Sequence, residues 1–444
     1  MTPRPLVAVL LLLVGLTACS GGPGATASPA TGISAPKVFY LPPHGDTAGP
    51  HNKVPFHLKA EDPDVLNGGG PADHRLTMDL VGAEGAVRLW VKSGHGCRGS
   101  DTHVVCTVQG QYDSWVGSDR VYPTATKDGE PGDSAVIRFS FATKEGKTLT
   151  TRTRVVVGEP VPRLRVAPAL DHIHPGADVA TTVTVRNTGE VPVRGLGLMV
   201  HSGDNTEFRR RYSNCRYPPQ QHGRAAVCRF PGLRIAPGET VTLRPSLPLR
   251  AGKTRIFSEV TQEVWPLDVG PAKYSAVPDN GDPGDGPALE AVRVPARTDG
   301  ATFVNGPIRT LVGLDLHADY RVTVNELHVG KKRELRLTVH NDGPGDPGAT
   351  GRLRFTPPPG AVVRAQPMEA IDDDVYEPAC PLEDDGSYNC PLYVLEPGAT
   401  RTYKFTLDLA EPGTGLVALR AKALEADGVD PEPGDNTANV VVLP

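Results

Sequence analysis

Two stretches of equal length decide the fold class: HPGADVATTVTVRNTG, from His174 to Gly189, and HVGKKRELRLTVHNDG, from His328 to Gly343. They share His, Gly, Thr-Val, Asn and Gly at equal offsets, which is the signature of two copies of one structural unit. Within each stretch, valines or leucines alternate with polar residues, which predicts a β-strand with one buried face. The Asn-x-Gly at each end predicts a turn with left-handed backbone geometry.

The same order of features continues downstream of each stretch. A pair of cysteines is followed by Pro-Gly and then by another alternating strand, at Pro237-Gly238 in one copy and Pro397-Gly398 in the other. Pro131-Gly132 marks a third copy nearer the N-terminus, which diverges because it lacks the Asn-x-Gly turn. No segment has a sustained helical apolar stripe. The chain is therefore predicted to be all-β, with three tandem immunoglobulin-like antiparallel β-sandwiches.

Composition shifts place the boundaries between these units. The predicted divisions are a signal peptide (1–19), a Gly/Ser/Pro/Ala tether (20–36), a divergent sandwich (37–160), a second sandwich (161–296), a linker (297–312) and a third sandwich (313–444).

The N-terminus predicts export. Its apolar run, Leu6 to Leu16, is too short for a mature membrane-spanning helix and is typical of a signal peptide. The following Leu16-Thr17-Ala18-Cys19 resembles the lipobox of bacterial lipoproteins. That resemblance implies that Cys19 is lipidated and holds the protein on the outer face of the membrane. The alternative is an ordinary secretory signal with an incidental cysteine.

Export allows disulfides to persist. Without Cys19, six cysteines remain, and they fall into three local pairs: Cys97 and Cys106, Cys215 and Cys228, Cys380 and Cys390. One local disulfide in each unit is the predicted arrangement. An alternative is a catalytic thiol at Cys97, because His95-Gly96-Cys97, with His74 upstream, is similar to the nucleophile motif of L,D-transpeptidases. Gly94 stands where that motif has Ser or Thr.

The third copy also carries a family resemblance. Thr-Val-x-Asn-x-Gly-Pro, the cysteine pair, Leu-x-Pro-Gly and the tail Gly-Asp-Asn-Thr-Ala-Asn-Val-Val-Val resemble the secreted bacterial repeat called domain of unknown function 11, which looks related to CARDB-type adhesin repeats. Residues 337–442 carry this pattern best. The resemblance implies immunoglobulin-like sandwiches at a cell surface, and it brings no catalytic residue and no cofactor.

Metal binding is weighed at three places. His172 and His174 would project to one side of an extended strand, as in part of a zinc site. The acidic stretches 279–286, 372–374 and 383–385 contain carboxylates that could bind calcium, but their spacing does not fit an EF-hand loop. Turn formation and solvation explain these residues more simply. The sequence predicts neither a metal site nor a cofactor, and it leaves calcium at the acidic loops open.

Charge bears on the partners. The 46 Lys and Arg against 51 Asp and Glu give a net charge of −5, which disfavours nucleic acid as a partner. Arg209, Arg210 and Arg211 form a local basic run that could bind a partner. The expected function is a non-enzymatic structural, spacer or adhesive lipoprotein of the cell surface. Alternatives are a module that binds a cell-wall polymer or a surface protein and, less favoured, a cell-wall enzyme using Cys97.

Overall fold

The structure is a computed structural model, and three tandem β-sandwich units make up its architecture. It describes residues 32–45, 57–61, 73–82, 85–91, 96–109, 115–117, 121–142, 146–203, 206–271, 277, 280–295, 300–348, 350–372, 375–421 and 429–444. Lipidation at Cys19 and the signal peptide therefore lie outside the described residues. Within the part of the chain that is described, no helix is both long enough and apolar enough to cross a membrane.

The first unit contains eleven described strands. They are β1 (Gly32–Ser34), β2 (Val38–Leu41), β3 (His57–Glu61), β4 (Asp73–Val81), β5 (Val87–Val91), β6 (Cys97–Gly99), β7 (His103–Gln109), β8 (Trp115–Gly117), β9 (Val121–Ala125), β10 (Ser134–Ala142) and β11 (Thr148–Val157). Its main sheet has the order β2-β11-β10-β4-β7-β6, and smaller sheets are formed by β1-β3-β8 and β5-β9.

The second unit is the largest. Its strands are β12 (Pro162–Arg165), β13 (Leu170–Ile173), β14 (Asp178–Thr181), β15 (Thr184–Asn187), β16 (Val193–Ser202), β17 (Thr206–Phe208), β18 (Cys215–Tyr217), β19 (Ala225–Ile235), β20 (Thr240–Arg244), β21 (Leu247–Ala251), β22 (Phe257–Pro266), β23 (Asp282–Pro283), β24 (Glu290–Val294), β25 (Phe303–Val304) and β26 (Ile308–Leu314). A short 3-10 helix covers Pro219–Gln221. Sheets β24-β20-β15-β12-β25 and β13-β26-β22-β16-β19-β18-β23 enclose the core, and β14-β21-β17 forms a third sheet.

The third unit has the strands β27 (Tyr320–Val324), β28 (Leu327–His328), β29 (Gly330–Asn341), β30 (Gly351–Thr356), β31 (Val362–Ala365), β32 (Met368–Asp372), β33 (Val375–Pro378), β34 (Tyr388–Leu392), β35 (Thr400–Leu409), β36 (Gly413–Arg420) and β37 (Thr437–Leu443). A 3-10 helix at Pro433–Asn436 precedes the last strand. Sheets β27-β29-β35-β31 and β28-β37-β36-β30-β34 form the sandwich, with β32-β33 as a separate hairpin.

All three units close in the same way. A strand near the start of each unit pairs in parallel with its last strand: β2 with β11, β13 with β26, and β28 with β37. The second and third units also share the order of the larger sheet. In the first unit, by contrast, the strand after Pro-Gly pairs with the last strand, β11, whereas in the other two it pairs with β15 or β29. The first copy therefore differs in topology as well as in sequence.

Two predicted boundaries differ from the structure. The stretch 297–312, predicted to be a linker, contributes β25 and most of β26 to sheets of the second unit. The alternation of Ile308, Thr310 and Val312 places these three side chains in the interior. Residues 32–36, predicted to belong to the tether, include β1, and Ile33 packs against the core of the first unit. The described fold therefore includes residues of the predicted tether from residue 32 onward.

The turns after the repeated strands differ from the expected left-handed geometry. Neither Asn187 nor Asn341 has a positive φ. Both side chains are fully buried instead and hydrogen-bond to backbone groups of neighbouring segments. Gly189 is required by close packing, because a Cβ there would lie 1.9 Å from the carbonyl oxygen of Glu159.

Direct contacts join consecutive units. Between the first and second, the Tyr40 hydroxyl donates a hydrogen bond of 2.6 Å to Asp268 Oδ2, beside an apolar cluster that includes Val156 and Val191. Between the second and third, Arg255 forms an ion pair of 3.4 Å with Asp346. Backbone hydrogen bonds reinforce this second junction, from Ile256 N to Asp346 O and from Asp346 N to Thr254 O.

Candidate functional site

A groove lies on the outer face of the five-stranded sheet of the second unit. The inward-facing residues of its strands are apolar and buried, among them Val185 and Val241. The alternate positions carry polar side chains because successive residues of a strand face opposite sides. Seven of them line the groove, and we call this set the Arg-Thr floor: Arg165, Thr182, Thr184, Arg186, Thr240, Thr242 and Arg244.

Strand register brings the hydroxyl groups of the floor together. Thr184 on β15 lies opposite Thr242 on β20, and their Oγ1 atoms are 3.0 Å apart. Arg186 lies opposite Thr240. Thr184 and Thr240 are on the outer face of the sheet, yet their relative solvent exposure is only 9% and 6%. The floor is therefore recessed, with hydroxyl groups at its base.

The wall of the groove comes from described residues between β22 and β26 (280–295 and 300–307), which we call the strap. The strap contributes to both sheets, because β23 pairs with β18, β24 with β20 and β25 with β12. Val294, Pro295, Ala301 and Phe303 of the strap border the floor, and the groove has a volume of about 410 Å³. This volume is within the range of ligand pockets, about 300–1,000 Å³.

The third unit has a similar polar face. Thr338 and Thr402 repeat the hydroxyl pair at 3.2 Å. His340 stands in the position of Arg186, at 2.9 Å from the Thr400 hydroxyl, and Lys404 stands in the position of Arg244. In the third unit β31 occupies the place that β24 has in the second, and no described strand pairs with β27 as β25 pairs with β12. Thr402 is exposed whereas Thr184 and Thr240 are buried, so the described third-unit face is less enclosed than the groove.

The electrostatics of the groove are positive. Its described lining contains three guanidinium groups and no carboxylate. Among the described residues, two acidic ones lie at neighbouring positions: Glu290 lies opposite Arg244 in the β20–β24 ladder, and Glu239 pairs with Arg293. Within the described residues, neither Arg186 nor Arg244 forms an ion pair. Two floor arginines thus keep donors available for an anion.

A second cleft of about 450 Å³ occurs in the same unit. Its lining includes His222, Arg224, Arg250, Lys253 and Glu207. Glu207 lies opposite Arg250 between β17 and β21, so the cleft contains charges of both signs. It is a weaker candidate for anion binding than the Arg-Thr groove.

The three predicted local disulfides are present. Cys97–Cys106, Cys215–Cys228 and Cys380–Cys390 have Cα separations of 4.0, 3.9 and 4.1 Å. The first two join residues directly opposite each other in antiparallel ladders. Because the Cys97 sulfur is bonded to Cys106, it has no thiolate to act as a nucleophile in this state. His95 of the transpeptidase-like motif lies outside the described residues.

The predicted partner-binding arginines lie apart from the floor residues. Arg209 forms an ion pair of 3.1 Å with Asp178 of the same unit. The guanidinium of Arg211 lies 4.8 Å from the ring centroid of Tyr217, and all three arginines are exposed. The contacts found between the second and third units use other residues. Partner binding by Arg209, Arg210 and Arg211 stays a prediction.

The residues considered for metals have other partners. His172 and His174 approach the two oxygens of Asp315, at 3.0 and 3.5 Å. Asp385 accepts hydrogen bonds from Ser387, which lower the pKa of its carboxyl, and Arg354 lies beside it. Among the described residues, no group of three or more His, Cys, Asp or Glu side chains is arranged to hold a metal ion. Asp279, Asp373 and Asp374 lie outside the described residues.

An acidic cluster lies at the N-terminal end of the third unit, beside the 3-10 helix. Asp435 is surrounded by Asp319, Asp430 and Glu432. Asn436 donates a hydrogen bond of 2.6 Å to Asp430. Burial, and then repulsion from the neighbouring carboxylates, raises the pKa of Asp435 above its ordinary value. The cluster therefore costs stability at neutral pH.

Sequence reasoning missed the groove, although the sequence contains a signal for it. The pattern Thr-x-Thr-x-Arg occurs at 182–186 and again at 240–244. On strands that pair with each other, such a pattern places hydroxyl and guanidinium groups on one face. The contribution of the strap could not be inferred in this way, because its pairing is long-range.

Comparison with known proteins identifies no family for this chain. No protein-family model matches the chain, and no curated protein is significantly similar to it. The resemblance to domain of unknown function 11 therefore stays a prediction.

Matches among solved structures include trypsin-activated alpha-2-macroglobulin from Escherichia coli, with 12% identity over 74% of this chain and 21% of that chain and a TM-score of 0.21. Two others are Dpr2 Ig1-Ig2 in complex with DIP-Theta Ig1-Ig3 (8% identity, 93% and 99% coverage, TM-score 0.16) and the C-terminal domain of the Streptococcus agalactiae AgI/II polypeptide BspA (7%, 64% and 100%, 0.17). The chain spans about a fifth of the macroglobulin. With TM-scores this low, these likenesses carry no conclusion about function.

Proposed function

We propose that this protein is a non-enzymatic lipoprotein of the cell envelope, which holds a stiff array of three sandwich units away from the membrane on a Cys19 anchor. Residues 20–31 would form the flexible part of the tether, since they are rich in Gly, Ala, Ser, Pro and Thr. The units beyond the tether would act as a spacer or as an adhesive surface.

The observation that carries this proposal is that both junctions between units are formed by packed, hydrogen-bonded side chains. At the second junction the Asp346 side chain is 4% exposed and the Arg255 side chain 24% exposed, so the ion pair is shielded from solvent. Ile256 of the second unit belongs to the core cluster of the third. Such contacts restrict bending between units, whereas a flexible linker would allow it.

The disulfides support an extracytoplasmic location. Each unit carries one, and disulfides persist in oxidising environments outside the cytoplasm. The bonded state of Cys97 also supports a role without enzymatic chemistry, because the thiolate of the transpeptidase-like alternative would first have to be released by reduction.

The stiffness is tested by measuring the distance between two units. Spin labels on non-canonical amino acids at positions 128 and 411, both exposed, would report the separation of the first and third units without disturbing the cysteines. We expect one narrow distance distribution, which broadens in Tyr40→Ala/Asp268→Ala and in Arg255→Ala/Asp346→Ala. A broad distribution in the unaltered protein would contradict the proposal.

The anchor is tested separately. Cys19→Ser should abolish metabolic labelling with palmitate and move the protein from the membrane to the soluble or secreted fraction. Ser20→Ala, which keeps Cys19, serves as the matched control and should remain on the membrane. Undiminished membrane retention of Cys19→Ser would show that Cys19 is not the anchor.

A further inference from the structure

The geometry of the groove in the second unit points to a ligand-binding site, and we propose that it binds a negatively charged saccharide, in which a sugar ring carries or adjoins a carboxylate or phosphate. The inference goes beyond the spacer role, because a stiff array needs no such groove. It makes the second unit the recognition element of the protein.

The charge of the ligand follows from the arginines. Arg165, Arg186 and Arg244 line one side of a recess whose described lining has no carboxylate. A guanidinium presents planar, paired donors that match carboxylate and phosphate oxygens. Arg165 and Arg186 are half-buried, so water and salt screen a bound anion less than they would on an open surface.

The hydroxyl content of the ligand follows from the threonines. In the Thr184–Thr242 pair at 3.0 Å, one hydroxyl donates to the other, and the second keeps its proton for a further acceptor. Burying such groups at the base of a groove is costly unless they find partners. A ligand with many oxygen atoms provides those partners at the spacing of a strand pair.

The apolar wall indicates a ring. Phe303 lies directly opposite Arg165 in the β12–β25 ladder, and Pro295 also lines the groove, so that a bound group meets apolar atoms beside the polar floor. A sugar ring has this character, with hydroxyl groups at its edge and C–H bonds on its face. An extended acidic peptide could pair with the arginines, but it has no ring face to pack against Phe303 and Pro295.

The third unit supplies an internal comparison. It keeps the threonine pair and a basic residue, Lys404, but β31 takes the place of β24, its described strands include no counterpart of β25, and His340 replaces Arg186. The two faces share their strand register and differ in enclosure. Binding that depends on the groove must therefore be lost by changes in the second unit and kept after the equivalent changes in the third.

Isothermal titration calorimetry on the chain from residue 20 onward tests the proposal. The probes are oligogalacturonate for a carboxylated saccharide, glucosylated glycerol-phosphate oligomers for a phosphorylated one, neutral maltohexaose, and hexaglutamate for an acidic peptide. We expect binding to at least one charged saccharide, at least about tenfold tighter than to maltohexaose or hexaglutamate, with an affinity that falls as salt increases. Which of the two saccharides binds more tightly identifies the anionic group.

Variants localise the site. Arg186→Ala and Arg244→Ala should each weaken binding about tenfold or more, as expected for the loss of a charged hydrogen bond. Thr242→Val should weaken it without changing charge, and Arg186→Lys should bind with intermediate affinity. Three matched controls should bind like the unaltered protein: His340→Ala and Lys404→Ala in the third unit, and Arg250→Ala in the second cleft.

Three results would overturn the proposal: no binding of either charged saccharide by protein with its disulfides and thermal transition intact, equal losses in the control variants, or binding of hexaglutamate as tight as that of the saccharides. None of these three results depends on stiffness or on the Cys19 anchor, so failure of the saccharide proposal leaves the spacer proposal standing.

Discussion

Asn341 makes the same four hydrogen bonds in the third unit that Asn187 makes in the second. Each side-chain oxygen accepts from the backbone two residues later, Gly189 N or Gly343 N, and from the residue just before β12 or β27, Val161 N or Asp319 N. Each amide nitrogen donates to two carbonyl oxygens, those of Val191 and Ile235 or those of Gly345 and Leu395. The asparagine thus joins three segments of chain inside each sandwich.

Replacing Asn187 should destabilise the second unit strongly. Asn187→Ala leaves buried donors and acceptors without partners, and we expect a loss of about 3 kcal/mol or more in the free energy of unfolding. Hydrogen exchange followed by mass spectrometry during denaturation would resolve the second unit from the others. Asn439→Ala, at an exposed position on β37, is the control and should change stability by less than about 0.5 kcal/mol. Equal effects of the two substitutions would contradict the role of Asn187.

The shielded ion pair at the second junction should matter more than an exposed one. Asp346→Ala removes a buried carboxylate that pairs with Arg255 across the junction, and we expect a loss of about 3 kcal/mol together with a broader distance distribution between units. The exposed pair Arg321–Asp342 provides the comparison, and Asp342→Ala should cost about 1 kcal/mol or less. A stable and still rigid Asp346→Ala protein would show that the backbone contacts suffice.

Stability should depend on pH through Asp435. Its pKa is raised in the folded protein, so the folded state keeps this proton at pH values where the unfolded state has lost it. Stability therefore falls as pH rises from the unfolded pKa through the folded pKa, so the cost is greater at pH 7 than at pH 4. Asp435→Asn should raise the Tm of the third unit at pH 7 and raise it less at pH 4. A Tm change independent of pH would contradict this explanation, and Asp384→Asn, in an exposed loop, serves as the control.

Each disulfide should stabilise its own unit. Replacing Cys215 and Cys228 together by alanine should lower the stability of the second unit by about 2–3 kcal/mol, mainly by freeing the unfolded chain. The Cys380/Cys390 double variant should do the same in the third unit. Unit-resolved hydrogen exchange checks both, and a loss that spreads equally over all units would indicate that they unfold together.

Local patterns in the sequence predicted much of the fold. The repeated stretch 328–343 contains β29, a single strand of twelve residues in which buried positions alternate from Leu335 to Asn341 and the register shifts between Gly330 and Arg333. Its counterpart became two short strands, β14 and β15, which belong to different sheets. Periodicity predicts that a residue is buried, but it does not tell which sheet buries it.

Long-range pairing explains what the sequence left undetermined. Ile308–Leu314 alternates like any strand, yet its partners are β22 and β13, the latter more than a hundred residues earlier. The groove has the same origin, since Phe303 reaches the Arg-Thr floor only because β25 pairs with β12. The three disulfide pairs, in contrast, were predicted correctly, because each joins cysteines that are close in the sequence.

In every unit, the parallel pairing of a strand near the start with the last strand has a mechanical consequence. Tension between a membrane anchor and a bound surface would enter β13 at one end and leave β26 at the opposite end, so their shared hydrogen bonds would be loaded together in shear. Unzipping, which breaks such bonds one at a time, needs less force. Pulling single molecules from both termini should show three unfolding events at shear-type forces, and low-force unzipping would contradict this. If the protein attaches a cell to a surface as we propose, this arrangement would let it withstand the drag of a flowing liquid without unfolding.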